Sequence, residues 1–475
     1  MRYYFLLLVL FSVGVQAQNV ISINGYAPGF KNEKVAFYEY EDYISFSTKK
    51  IGEASIKEDS TFSITLYTDT IKKVKVAIKD YYFHFYLDPG SNYNVVISGA
   101  LGSMIESGIG LDLDYYFVGL DTNDINYKIL QFDQDLFAFL NREFNQKSRS
   151  SGDFALALDQ FKTEIEQKID KEIDLFFLTY IRFSLAQIDD LPFKGSRNRY
   201  EKYDFYIKPS NVWYNNDRYM EYIYQYYKGY YQQLSKKVNQ LFYEGIIHSS
   251  PTMLMHALSG DYALHNLKLR ELVIIRMLSE MYYKDDVPQT NVRVVLDSLA
   301  NYALFIPNRV VAQNILSRVS SLSKGSACPT FSLNDIGGNK LTKNTIYGKY
   351  TYIHFMDFSK LAKGDFTLLV KLHEKYGEYI NFLTIVKQDS EINPDVFLTE
   401  FNVPEKLGDN WHVVIVNPEH YIFDRFNIVS FPYYISLDDQ TNIEAAPALS
   451  PRPNNEYETI ERFLFHVKKS KSERK

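Results

Sequence analysis

Cysteine is almost absent: Cys328 is the sole thiol among 475 residues. The chain therefore closes no internal disulfide. No dithiol–disulfide cycle can run within one copy, because that cycle needs two neighbouring thiols, the attacking one lowered in pKa. Strong net charge is also lacking. Lys and Arg number 52 against 58 Asp and Glu, leaving −6, which argues against nucleic acid as a main partner. Beyond the N-terminus no apolar run approaches the ~20 residues of a membrane-spanning helix. No Gly-x-Ser-x-Gly elbow occurs. Gly108-Ile109-Gly110 is too short for a nucleotide fingerprint and lacks a clear strand before it. His248, His256 and His265 are too widely spaced to pair on one helix face, and no cysteine or carboxylate spacing completes a metal site. The expectation is a protein without metal or other cofactor.

What is present begins with an export signal. Arg2, the apolar run Phe5 to Val13 and the small-residue site Val15-Gln16-Ala17 match the three regions of a secretory leader over residues 1–17. With no cysteine after that run, a lipoprotein is not expected. The expected location is the periplasm or the periplasmic face of an outer membrane. Residues 19–110 alternate with period 2 between short turns, as in Phe62-Ser63-Ile64-Thr65-Leu66 and Val74-Lys75-Val76-Ala77-Ile78. This predicts an antiparallel β-sandwich.

Residues 111–322 switch to helical spacing. Leu130, Phe132, Leu136, Phe137, Leu140 and Phe144 read as one face, Phe161, Ile165, Ile169 and Ile173 as another, and Leu272, Ile275, Met277, Leu278 and Met281 as a third. Tyrosine is abundant, at 40 residues, and concentrates between Tyr214 and Tyr231. There Tyr219, Tyr222, Ile223, Tyr226, Tyr230 and Leu234 form a core stripe. Tyr224, Tyr227 and Tyr231 fall partly off it, where they read either as further core or as a surface for a partner protein or sugar rings.

Residues 326–475 alternate strand and helix, an α/β pattern. Several stretches carry a resemblance: Ala327-Cys328-Pro329-Thr330-Phe331-Ser332-Leu333, Gly348-Lys349-Tyr350-Thr351-Tyr352-Ile353-His354-Phe355, Leu369 to Tyr376, and Ser430-Phe431-Pro432-Tyr433-Tyr434-Ile435-Ser436-Leu437-Asp438. In order, these resemble the entry strand, central strand, long helix and cis-proline loop of the TlpA-like and peroxiredoxin-related branch of the thioredoxin superfamily. The β-region, with Tyr86-Leu87-Asp88-Pro89-Gly90, is similar to a domain of unknown function that precedes such modules in envelope proteins. The whole is thus expected to be multidomain: N-terminal antiparallel β-sandwich, helical middle, C-terminal α/β thioredoxin-like domain.

The departure is at the chemistry. Where the resembled family has Trp-Cys-x-x-Cys, this chain reads Phe358-Ser359-Lys360-Leu361-Ala362-Lys363. The simplest register sets Lys360 and Lys363 on the two cysteine positions. The plain reading of those lysines is a solvated loop; the functional one is a contact for an anion or partner. Cys328 matches the entry strand rather than the loop, and reads as a buried, inert thiol. Phe431 and Pro432, with the loop Phe358 to Lys363, read either as a fold-maintaining turn or as a peptide-docking ledge. The expectation is a non-enzymatic, redox-inactive envelope protein that binds or scaffolds a protein partner. The alternatives are a single-cysteine thiol-disulfide enzyme and a peptide- or glycan-binding periplasmic protein.

Overall fold

The computed structural model describes residues 19–79, 81–100, 113–144, 151–169, 172–189, 198–282, 284, 286–388, 401, 410–417, 420–428, 431–452 and 460–472. The leader expected at 1–17 and Gly108-Ile109-Gly110 lie outside them.

Eight strands open the chain: β1 (Val20–Tyr26), β2 (Lys34–Tyr40), β3 (Thr48–Ser55), β4 (Thr61–Tyr67), β5 (Lys72–Ile78), β6 (Tyr81–Leu87), β7 (Asn92–Ala100) and β8 (Leu113–Phe117). They form two four-stranded sheets, ordered β4-β1-β7-β8 and β3-β2-β5-β6. Ile21, Ile23, Phe62, Tyr93, Val95 and Ile97 of the first share one core with Val35, Phe37, Val74, Val76, Phe83 and Phe85 of the second.

Two features depart from the sequence reading. β1 and β7 pair in parallel, Ser22 opposite Asn92 and Tyr26 opposite Val96, so the first sheet is not wholly antiparallel. Local alternation marks a strand but not its direction, and β7 reaches β1 only after the chain has crossed the second sheet. The sheet also runs past residue 110, because Leu113–Phe117 pairs with β7.

Among the described residues ten α-helices follow: α1 (Ile125–Phe144), α2 (Ser151–Lys168), α3 (Leu175–Asp189), α4 (Arg199–Lys202), α5 (Asp217–Tyr226), α6 (Lys236–Ile247), α7 (Pro251–Ala257), α8 (Leu267–Met281), α9 (Gln289–Tyr302) and α10 (Ile306–Ser321). Their starts are written locally. Asn216, Ser235, Ser250 and Asn266 each accept from a backbone N–H in the first turn of α5, α6, α7 and α8, satisfying donors the helix itself leaves open.

The core of α8 is as expected: Leu272, Ile275, Met277, Leu278 and Met281 are all buried. That of α1 is shifted. Ile125, Ile129, Phe132 and Phe139 turn inward, while Leu130 and Phe137 are exposed. Nearly continuous apolar spacing left the choice of face to the packing partners.

Between the β-region and the helices run polar ties. Asp217 accepts from the Tyr86 hydroxyl at 2.9 Å and pairs with Lys73 at 2.8 Å. Asn314 donates to Asp42 at 2.8 Å.

Helix α10 has Phe305 at its N-cap and so no capping side chain of its own. Glu271 of α8, buried, takes that role: it accepts from Leu304 N at 2.8 Å, from Phe305 N at 3.4 Å and from Asn308 Nδ2 at 2.8 Å. Glu271→Ala orphans these donors and should cost about 2–4 kcal/mol. Urea unfolding checks it, and a midpoint unchanged from the parent would show that solvent replaces the carboxylate.

The last portion is a five-stranded sheet ordered β13-β12-β11-β14-β15, preceded by the hairpin β9 (Ser332–Asn334) and β10 (Lys340–Thr342). Its strands are β11 (Tyr350–Met356), β12 (Ile380–Lys387), β13 (Trp411–Val416), β14 (Tyr433–Leu437) and β15 (Ile443–Ala445). β11, β12 and β13 are parallel; β14 runs antiparallel to β11, and β15 to β14. Between them come α11 (Lys360–Tyr376) and α12 (Tyr421–Arg425), and α13 (Ile460–Ser472) closes the fold. α11 and α13 cover one face of the sheet. The entry segment, the hairpin and α12 cover the other. A β-α-β unit followed by an antiparallel β-β pair, around a central β11, is a thioredoxin-like arrangement.

Candidate functional site

The site expected at the start of α11 is built by a cap. Ser359, extended, accepts from Ala362 N through its hydroxyl, so the helix begins at Lys360, and Lys360 to Lys363, read from the sequence as loop, form its first turn. Lys360 is exposed in the first turn. Lys363 is partly buried, its ammonium 5.4 Å from the centre of the Phe401 ring. Phe358 meets the same ring edge-on at 5.8 Å. Two cations thus stand where the positive end of the helix dipole disfavours them, and no thiol stands there at all.

The Phe431–Pro432 peptide is cis. Pairing of Phe355 with Tyr433 sets Pro432 beside the end of β11, where the loop to α11 leaves the sheet. Phe431 packs edge-on against Phe423 at 5.4 Å, with the Lys387 ammonium 5.4 Å from its ring centre. Register thus brings the loop and the Phe431–Pro432 turn to the same edge of the sheet.

Cys328 is elsewhere. Its backbone N–H donates to Thr441 O at 2.9 Å, and its thiol sits 3.4 Å from Pro329 O. It is buried with Phe331, Leu333, Ile435 and Ile443, on the face opposite α11. Burial pushes its pKa up to about 12.

The tyrosines do not form one outward face. Tyr227 is fully buried, its hydroxyl donating to Ala263 O at 2.6 Å. It follows Tyr219 and Ile223 at four-residue intervals, so it belongs to the core stripe. Tyr224 lies under the Arg276 guanidinium, 3.6 Å from the ring centre, and meets Phe46 edge-on at 5.7 Å. Tyr231 faces the Lys284 ammonium at 3.8 Å. Both are half-buried by these contacts.

Beneath the start of α11 lies a polar cluster that the sequence reading passed over. Tyr434 donates to Asp365 Oδ2. Arg452 Nε stands 2.7 Å from Asp365 Oδ1 as an ion pair, outside hydrogen-bond geometry. His354 stacks on Tyr434 at 5.1 Å, and Tyr352 stacks on Tyr434 at 5.8 Å, both with rings 6° apart. Neither nitrogen of His354 has a hydrogen-bond partner among the described residues. Burial raises the Asp365 carboxyl, while Tyr434 and Arg452 pull it down. Burial drives His354 down to about 3. The available signal was a lone histidine in an otherwise apolar strand. Among the described residues no group of three or more His, Cys, Asp or Glu side chains could hold a metal ion.

No protein-family model matches the chain, and no curated protein is similar to it. Solved structures similar to about 30% of the chain include thiol-disulfide oxidoreductases. The thioredoxin domain of a thiol-disulfide oxidoreductase from Bacteroides vulgatus is 22% identical, covering 30% of this chain and 99% of its own, with a TM-score of 0.26. A thiol:disulfide interchange protein from Bacteroides sp. is 20% identical over 31% of this chain and 90% of its own, TM-score 0.25. A thiol-disulfide oxidoreductase from Bacteroides fragilis is 18% identical over 26% of this chain and 92% of its own, TM-score 0.23. Similarity at this level carries no argument about activity, which rests on the residues themselves.

Proposed function

We infer that this is a redox-inactive thioredoxin-like protein of the cell envelope, acting as a protein-binding or scaffolding subunit. One observation carries the reading: the helix start that would hold a reactive thiolate is capped by Ser359 and flanked by Lys360 and Lys363, while the sole thiol is buried on the other face of the sheet. The cell-envelope location rests on the leader-like residues 1–17. The binding surface is Phe358, the Ser359 cap and the first turn of α11 to Lys363, with Phe431 and Pro432. Its exposed cation Lys360, beside half-buried rings, suits an acidic or aromatic segment of a partner.

Tagging the protein in its own cells, crosslinking, solubilising the envelope and identifying co-purified chains tests this. A stoichiometric complex is expected, and Lys360→Glu with Lys363→Glu should lower partner recovery about tenfold at unchanged melting temperature. Recovery of the protein alone, or reduction of a disulfide substrate by the purified chain with an external thiol as reductant, would overturn the reading.

A further inference from the structure

The outer face of the sheet β4-β1-β7-β8 differs from the rest of the surface. Reading alternate residues from Val20 to Tyr26, Thr61 to Tyr67 and Asn92 to Ser98, the outward side chains of β1, β4 and β7 are Val, Ser, Asn, Thr and Tyr, without one Lys, Arg, His, Asp or Glu; β8 adds Tyr116 and a single acidic residue, Asp114, both exposed. An ordinary surface is about a quarter to a third charged. The companion sheet is of that kind: Lys34 and Lys50 pair with Glu53 there, and Lys72 with Glu39.

Register turns these neutral side chains into rows. Tyr26 lies opposite Val96, and Val96 opposite Tyr116. The two tyrosines, 46% and 55% exposed, are therefore two strand spacings apart, about 10 Å. In the next row Ser63 Oγ donates to Asn24 Oδ1 at 2.9 Å, and Asn24 Nδ2 to Asn94 Oδ1 at 3.5 Å. That chain leaves the Asn94 amide N–H groups open among the described residues. The rows border a shallow groove of about 380 Å³, whose one ionised lining residue is Lys57.

We propose that this face binds a neutral oligosaccharide chain. Each Ser and Asn here is donor and acceptor at once, as is each sugar hydroxyl. An exposed tyrosine offers an apolar ring with a polar handle, on which the C–H side of a pyranose ring lies. The spacing of Tyr26 and Tyr116 suits alternate sugars along an extended chain. Charge selects among occupants. A neutral polyol brings no ion to desolvate, whereas a protein surface of ordinary composition would bury more Lys and Glu here than Asp114 and Lys57 can pair, and a polyanion meets one cation, Lys57, and the repulsion of Asp114.

The test is calorimetric titration of the intact chain with cellohexaose, xylohexaose, mannohexaose and maltohexaose, with hexagalacturonate as the anionic comparator. At least one neutral hexaose should bind with Kd below about 1 mM. Tyr26→Ala or Tyr116→Ala should weaken that binding at least about tenfold at unchanged melting temperature. The proposal is overturned if no neutral hexaose binds, if only hexagalacturonate binds, or if the double variant binds as tightly as the parent. It is likewise overturned if the double variant loses a crosslinked protein partner and no saccharide binds, which would make the face a protein contact.

Discussion

Acidification from pH 7 to pH 4 is expected to strip several kcal/mol from the folded chain, with His354 the largest single contributor. The unfolded chain protonates this imidazole near pH 6.5, whereas burial holds it to about 3 in the fold. Through that window the unfolded state binds more protons, so stability is fully present above pH 6.5 and falls as the pH drops. At about 1.4 kcal/mol per pH unit, His354 alone accounts for roughly 3 kcal/mol by pH 4. His84, held to about 4 by burial and then by Lys73 and Lys75, and His420, held to about 4 by burial, act in the same direction. Carboxyls with raised pKa, such as buried Asp365 and half-buried Asp88, act in the opposite sense, above the ordinary carboxylate value. His354→Leu removes two unpartnered nitrogens along with the titration. It should lie within about 1 kcal/mol of the parent at pH 7 and lose much less between pH 6.5 and 4. Urea midpoints at pH 7, 6, 5 and 4 decide it; parallel loss by parent and variant would remove His354 from the account.

The folded chain should be all but inert to thiol reagents. A shift of the Cys328 thiol from 9.0 to about 12 lowers its thiolate fraction at neutral pH about a thousandfold, and its burial among Phe331, Leu333 and Ile443 adds steric exclusion. Exchange with an aromatic disulfide reagent at pH 8 should therefore be at least about a thousandfold slower in buffer than in denaturing urea. The single-cysteine enzyme reading requires the opposite. Stoichiometric labelling of the native chain within seconds, with its circular dichroism unchanged, would revive that reading and remove the argument for a redox-inactive protein. Cys328→Ala separates reactivity from packing, since it leaves a small void but no polar orphan, and it should cost about 1 kcal/mol without altering partner recovery.

What could be read early was what is written locally. Alternation in Phe62 to Leu66 and Val74 to Ile78 marked strands, and the ordered motifs from Ala327 to Asp438 pointed to the thioredoxin-like portion. The missing second cysteine alone excludes a dithiol cycle within one chain. Lys360 to Lys363 read as loop because Ser359 as a cap is a three-residue signal, whereas the apolar face that marks α11, Phe366, Leu369 and Leu372, lies further along the helix.

By itself, then, the sequence determined most of the strands and helices, that no dithiol cycle runs within the chain, and that its cores hold without disulfides, because periodicity, capping and composition act within a few residues. Only the tertiary structure decided the parallel pairing of β1 with β7, the inward turn of Tyr227, the burial of Cys328 opposite α11, the unpartnered His354 beneath it, and the rows of neutral side chains around Tyr26 and Tyr116. Each depends on which distant residues become neighbours, and strand direction, burial and desolvation are properties of those neighbours.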